Sequence, residues 1–195
     1  MKETRTPGTG EWLLQNPGFQ RWEETNPPVF SGFRDPVISG VGKTYLTSRV
    51  VDLIKDQMED LPRNEGSAFF YCNRNEKNRR DSLSIINSYA EESGTTLSFD
   101  ACQEQILALL NLYTKSTLVI EGFDECDQGS RDKLIETFNS LLAESNNTLK
   151  IYIASRPDPD IQAQIQQEQR ISITIQVPMG ITASPPDHTM QNRVE

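Results

Sequence analysis

Three short segments carry residue types at spacings that suit phosphate chemistry. The first is Gly40-Val41-Gly42-Lys43-Thr44, which opens a stretch with helical periodicity. Glycines let backbone N–H groups wrap around phosphate oxygens, and a helix N-terminus adds the positive end of its dipole. In that setting Lys43 reaches the terminal phosphates and the Thr44 hydroxyl ligates Mg2+. The same residues also fit a plain glycine turn that caps a helix. The second segment is Glu121-Gly122-Phe123-Asp124-Glu125, directly behind the apolar run Thr117-Leu118-Val119-Ile120. Acids at the end of a strand can hold Mg2+ and polarise a water for attack on a phosphate. In a chain with 28 acidic residues, a merely solvated turn would look the same. The third segment, Ser155-Arg156-Pro157, sets a hydroxyl and a guanidinium behind Leu149–Ala154. An arginine there can sense phosphate charge, or it can be a surface residue before a helix-starting proline.

The elements that must position these segments follow from periodicity. Trp12, Leu13, Leu14, Phe19 and Trp22 predict a helical segment over Thr9–Glu24, bent or restarted at Pro17, with Thr9 as its cap and its aromatics packed on the domain. Val29–Ser39 reads as irregular. Leu46, Val50, Leu53, Ile54, Met58 and Leu61 predict an amphipathic helix over Tyr45–Leu61, ended by Pro62. Ala68–Cys72 reads as a strand and Asp81–Glu92 as a helix. A further helix starts near Asp100 as N-cap and carries Ile106, Leu107, Leu109, Leu110 and Leu112. Leu134, Ile135, Phe138, Leu141 and Leu142 mark another helix, Leu149–Ala154 a strand, Ile161–Gln167 a short helix, and Ile171–Val177 a strand with one wet face. Strands alternating with helices imply βαβ units and a mostly parallel sheet covered on both faces, with chemistry at the carboxyl ends of the strands. All three segments follow a strand or a proposed strand.

Composition narrows the function. The 195 residues carry a net charge of −9, which disfavours nucleic-acid and anionic-membrane partners. No run approaches the length of a membrane span and Met1–Gly10 has no apolar leader core, so the expectation is a cytoplasmic protein. The single histidine, His188, sits in a polar tail, which excludes a histidine-rich metal site and argues against a Ser-His-Asp or Cys-His centre. Cys72, Cys102 and Cys126 are odd in number, far apart in sequence and without a CxxC pair, so they read as small buried residues. Arg74, Lys77, Arg79 and Arg80 could meet the phosphates of a nucleic acid or a partner, but interleaved with Glu76 and Asp81 they read rather as a solvated loop. The hydrophobic share is 35% and mean hydropathy −0.56, low for a domain of this size.

Taken in this order, the three segments read as a P-loop NTPase. Gly10-Glu-Trp-Leu-Leu14, Phe19-Gln-Arg-Trp22, Val41-Gly-Lys-Thr44, Phe69-Phe-Tyr-Cys72, Arg79-Arg-Asp81, Phe123-Asp-Glu-Cys126 and Ile153-Ala-Ser-Arg-Pro157 together resemble the NACHT-type NTPase domain of fungal STAND proteins. More narrowly, they resemble the nephrocystin-type N-terminal domain. The resemblance implies a three-layer αβα sandwich that binds ATP or GTP with Mg2+ and hydrolyses it slowly as a switch for oligomerisation and signalling. Carried over, it makes Gly40, Val41, Gly42, Lys43, Thr44 and Ser155 nucleotide-binding. Thr44, Glu121 and Asp124 serve the metal, Glu125 orients or activates water, and Arg156 senses the γ-phosphate. A second copy or full-length STAND relatives would be the protein partners. Residues 1–28 form the N-terminal helical segment, 29–177 the NTPase domain, and 178–195 a disordered tail, giving a bare switch domain.

The chain departs from the full phosphate-loop pattern GxxxxGK[ST] at Val37, where glycine is expected, and Glu121 stands where the family usually has aspartate. The charge pair and proline of Phe33-Arg34-Asp35-Pro36-Val37 fall where a buried strand should feed the loop. These departures motivate the alternative of an inactive interaction module that keeps the fold and binds protein partners. A misplaced splice junction at residues 31–37 and in the tail is a third account.

Overall fold

The computed structural model describes residues 10–24, 29–34, 43–60, 64–90, 98–156, 158, 159, 161 and 170–175. In chain order these form α1 (Glu11–Leu14), α2 (Pro17–Glu24), β1 (Val29–Arg34), α3 (Lys43–Asp60), β2 (Glu65–Tyr71), α4 (Ser82–Ala90), α5 (Phe99–Leu110), β3 (Lys115–Glu121), α6 (Gln128–Glu144), β4 (Thr148–Ser155) and β5 (Arg170–Ile175). The expectation for the 178–195 tail, and most of the 161–167 helix, lies outside the described residues.

The five strands make one sheet in the order β2-β3-β4-β1-β5, and every pairing is parallel. Strict alternation on β4 builds the layers. Leu149, Ile151 and Ile153 point to one face, where they join Leu118 and Ile120 of β3 and residues of α4, α5 and α6. Tyr152 and Ala154 point to the other face, with Val119 of β3, Leu46, Val50 and Val51 of α3, Leu13 of α1, and Phe19 and Trp22 of α2. The architecture is therefore a three-layer αβα sandwich. Both faces are covered because a parallel sheet's crossovers lay helices over it.

Several expectations change. The helix restart at Pro17 is present, but Gly10, at φ +86°, occupies the cap position before α1. Phe19 and Trp22 are buried, whereas Trp12 is left exposed. Val29–Ser39 is not irregular throughout: β1 occupies Val29–Arg34, and residues 35–39 lie outside the described residues. β1 pairs on both sides, with Val29 opposite Ile151 of β4 and Arg170 of β5. The N-cap of α5 is Ser98 rather than Asp100: Ser98 has extended backbone and its Oγ accepts the Ala101 N–H at 3.3 Å. Asp100 sits instead in the first turn, where its charge meets the positive helix end. Leu112 lies past the end of α5 and is exposed.

The strand order has one consequence for function. α3, which follows β1, lies on one face, while Ile161, which follows β4, is buried in the core of the opposite face. β1 and β4 are neighbours, so the chain leaves adjacent strands toward opposite sides. In doubly wound sheets this is the point where a ligand crevice opens at the carboxyl ends.

Candidate functional site

The carboxyl ends of β2, β3 and β4 meet beside the start of α3. Glu121 is the last residue of β3 and shares its face with Val119, toward α3. It is buried, and its charge helps push up the hydroxyls of Tyr152 and Tyr71, in both cases after the larger effect of burial. Lys43 is the first residue of α3, and Thr44, exposed, is the second. Gly40, Val41 and Gly42 lie outside the described residues.

After Glu121 the chain turns sharply through Gly122 into a 3-10 turn, Phe123–Glu125. Gly122 sits at φ +71°, and a Cβ there would lie 3.1 Å from the carbonyl oxygen of Cys72. The position thus favours glycine for both backbone conformation and close approach. Phe123 is buried and anchors the turn, which directs Asp124 and Glu125 to different neighbours.

Asp124 faces the end of β4. Its Oδ1 accepts the Arg156 backbone N–H at 2.8 Å and lies 3.5 Å from the Ser155 hydroxyl, which itself donates to the Arg156 carbonyl at 2.8 Å. The Asp124 side chain is 7% exposed, and its Oδ2 lies 3.5 Å from Arg156 Nε and 4.0 Å from an Arg74 guanidinium nitrogen. Glu125 faces the other way: its Oε2 accepts the Arg74 backbone N–H at 3.3 Å. The second and third segments are thus directly bonded, although 31 residues separate Asp124 from Ser155.

Arg74 is the residue that sequence reasoning ranked too low. Within a basic run taken as solvated, it stands three residues beyond β2, and the loop holding it is built rather than loose. Asn73 N–H donates to the Arg79 carbonyl at 2.8 Å, Arg79 Nε to the Tyr71 carbonyl at 2.8 Å, and Arg80 to the Arg74 carbonyl at 3.2 Å. The signal that could have found it is its place just past a strand's carboxyl end. More than half of each arginine side chain, Arg74 and Arg156, stays exposed. Both guanidiniums are therefore anchored by one carboxylate yet open to an incoming anion.

Among the described residues no three His, Cys, Asp or Glu side chains converge as a metal cluster. The donors present are hard oxygens, and Mg2+ is commonly held by one or two protein groups together with substrate phosphates and water. A buried carboxylate at Glu121 and a hydroxyl at Thr44 fit that cation. Likewise among the described residues, no helix is long and apolar enough to cross a membrane.

Comparison with known proteins agrees with this fold. No curated protein sequence matches the chain. Among solved structures, it is similar to an Aeropyrum pernix Orc1 protein in complex with DNA, at a TM-score of 0.51 and 14% identity over 74% of this chain. It is also similar to Cdc6p from Pyrobaculum aerophilum, at a TM-score of 0.53 and 19% identity over 87% of this chain. The matches span 38% and 46% of those proteins, so this chain corresponds to less than half of either. At these identities the likeness is one of fold. The family model described as nephrocystin 3, N-terminal, matches residues 8–94 and 88–156, which take in α1 through β4 and the acidic turn. The chain belongs to the nephrocystin 3 N-terminal family.

Proposed function

We propose that the chain is a Mg2+-dependent nucleotide-binding switch domain of the STAND class, taking ATP or GTP. The observation that carries this reading is the convergence of Glu121, Asp124, Ser155 and Arg156 at the carboxyl ends of adjacent strands, on the side of the sheet where Lys43-Thr44 opens α3. Lys43 and Thr44 would meet the phosphates together with the glycine turn before them. Thr44 and Glu121 would hold Mg2+, which supplies charge neutralisation between the phosphates. Asp124 orients Arg156 through its backbone and guanidinium, and Arg156 reads the terminal phosphate. Glu125, held by the Arg74 N–H, is the acid left to order a water.

Val37 and Glu121 both depart from the full motif, so binding with slow or lost turnover is the proposed behaviour. A partner-binding module without turnover is the second reading, favoured by the two arginines already gathered on Asp124. The Orc1 structure contains DNA, but with a net charge of −9 we do not extend that partner to this chain.

The test is thermal unfolding with and without millimolar Mg2+-ATP or Mg2+-GTP. The expected outcome is a rise of several degrees that disappears in Lys43→Ala, since a ligand that binds only the folded state raises its stability. An unchanged melting temperature in the wild type with both nucleotides would sink the reading.

A further inference from the structure

Cys72 and Cys126 lie 54 positions apart in sequence, yet their sulfurs are 3.2 Å apart and buried. Cys72 immediately follows β2, and Cys126 immediately follows the turn that carries Asp124 and Glu125. All three cysteines are buried, as expected, and the strand pairing of β2 with β3 brings two of them together. We propose that Cys72 and Cys126 are a modification site, forming a reversible disulfide that clamps the acidic turn to the end of β2.

The backbones on either side are already joined. The Cys72 N–H donates to the Glu121 carbonyl at 2.8 Å, and the Arg74 N–H donates to Glu125. A disulfide needs an S–S separation of about 2.05 Å, so the sulfurs must close by roughly 1 Å, within reach of a small side-chain rotation. The third thiol provides an internal control. Cys102, on α5, is buried elsewhere and its Sγ donates to Asn87 Oδ1 at 3.4 Å.

A hydroperoxide is the oxidant whose size suits a buried pair. One thiolate attacks a peroxide oxygen, the O–O bond breaks, and the departing oxygen leaves as water, giving a sulfenic acid. The second sulfur attacks the first, the S–S bond forms, the S–O bond breaks, and hydroxide leaves with the second thiol's proton as water. The two thiols thus lose two electrons and two protons, which reduce one hydrogen peroxide to two waters. An external dithiol reverses the change. None of this depends on whether nucleotide binds.

The experiment treats the full chain with hydrogen peroxide, alkylates the remaining thiols after denaturation, digests it and maps the peptides by mass. The expected product is a Cys72–Cys126 crosslinked peptide lighter by two hydrogens, with Cys102 alkylated and the link released by dithiothreitol. The oxidised chain should melt roughly 5–10 °C higher, because the bridge closes a long loop. Cys126→Ala should abolish the crosslink and Cys102→Ala should leave it. A bridge that contains Cys102, a bridge between two chains, or oxygen added to single thiols without any bridge would each overturn the proposal. Mapping the wild type decides between these outcomes even if a variant fails to fold.

Discussion

The two faces of the sheet are built from the same strands but by different chemistry. On the α4–α5–α6 face, β4 presents Leu149, Ile151 and Ile153 to Ile85, Ile86, Ile106, Leu134, Phe138 and Leu141, all of them buried and apolar. On the α1–α2–α3 face, the same strand presents Lys150 and Tyr152, and the neighbouring strand ends in Glu121. Lys150 is buried and donates from Nζ to the Trp22 carbonyl at 2.8 Å, in the last turn of α2 where helix carbonyls lack intrahelical partners. Burial, with Lys115 nearby, pushes that amine below its ordinary value. Tyr152 lies against Trp22 with the rings tilted and their centroids 6.2 Å apart. One face holds the fold by area removed from water. The other accepts buried polar groups on the way to the candidate site, and each must be satisfied locally.

The sharpest way to break this contrast is to mutate adjacent residues on opposite faces. Ile151→Ala empties a fully buried site on the apolar face and should cost about 3–4 kcal/mol, read as a lower midpoint in urea unfolding. If the cost fell below that of the polar-face variants, the division of labour between the faces would be wrong. Next in size is Gly122→Ala, at the point where β3 passes into the acidic turn. A side chain at φ +71° crowding the Cys72 carbonyl should cost about 1–3 kcal/mol and displace Asp124 and Glu125. Unfolding should show the loss, and the stabilisation by nucleotide should shrink with it.

The smallest effect is expected at Tyr152→Phe, about 1 kcal/mol at neutral pH for removing one buried hydroxyl. Its diagnostic is the pH dependence. Burial and the Glu121 charge raise the Tyr152 hydroxyl above its ordinary 10.0 in the folded state. Between the unfolded and folded values the native chain holds more protons than the unfolded chain, so this stability is full below pH 10 and is lost as pH rises beyond it. Tyr89, wholly buried with its hydroxyl on the Val119 carbonyl, is raised in the same direction. The wild type should therefore lose stability steadily above about pH 10, and the phenylalanine variant should lose it less steeply. Equal slopes would place the alkaline sensitivity elsewhere.

Much of the scaffold was legible from local pattern. The 3.6-residue spacing of Leu46, Val50, Leu53 and Ile54 announced α3, and the apolar runs around Leu118 and Ile151 announced the two central strands. The segments around Lys43, Asp124 and Arg156 were legible as one chemistry, the last two because each follows an apolar strand. β1 was not, because its six residues, Val29–Arg34, contain serine, glycine and arginine and lack a clear alternation. It is defined by the backbone ladders of β4 and β5 on either side. The role of Ser98 as cap was missed for a smaller reason: two residues two positions apart both had capping side chains, and only backbone geometry separates them.

The sequence by itself determined which residues go inward, since burial follows the helix and strand periods, and it determined the order in which the chemical segments appear. Tertiary structure alone decided who meets whom. The placement of β4 between β1 and β3 brings Asp124 to the Arg156 backbone, and the pairing of β2 with β3 brings Arg74 to Glu125 and Cys72 to Cys126. Those contacts join residues tens of positions apart. A local pattern specifies which face a side chain takes but carries no record of which strand lies alongside, because that choice is made by packing the whole set of helices against both faces of one sheet.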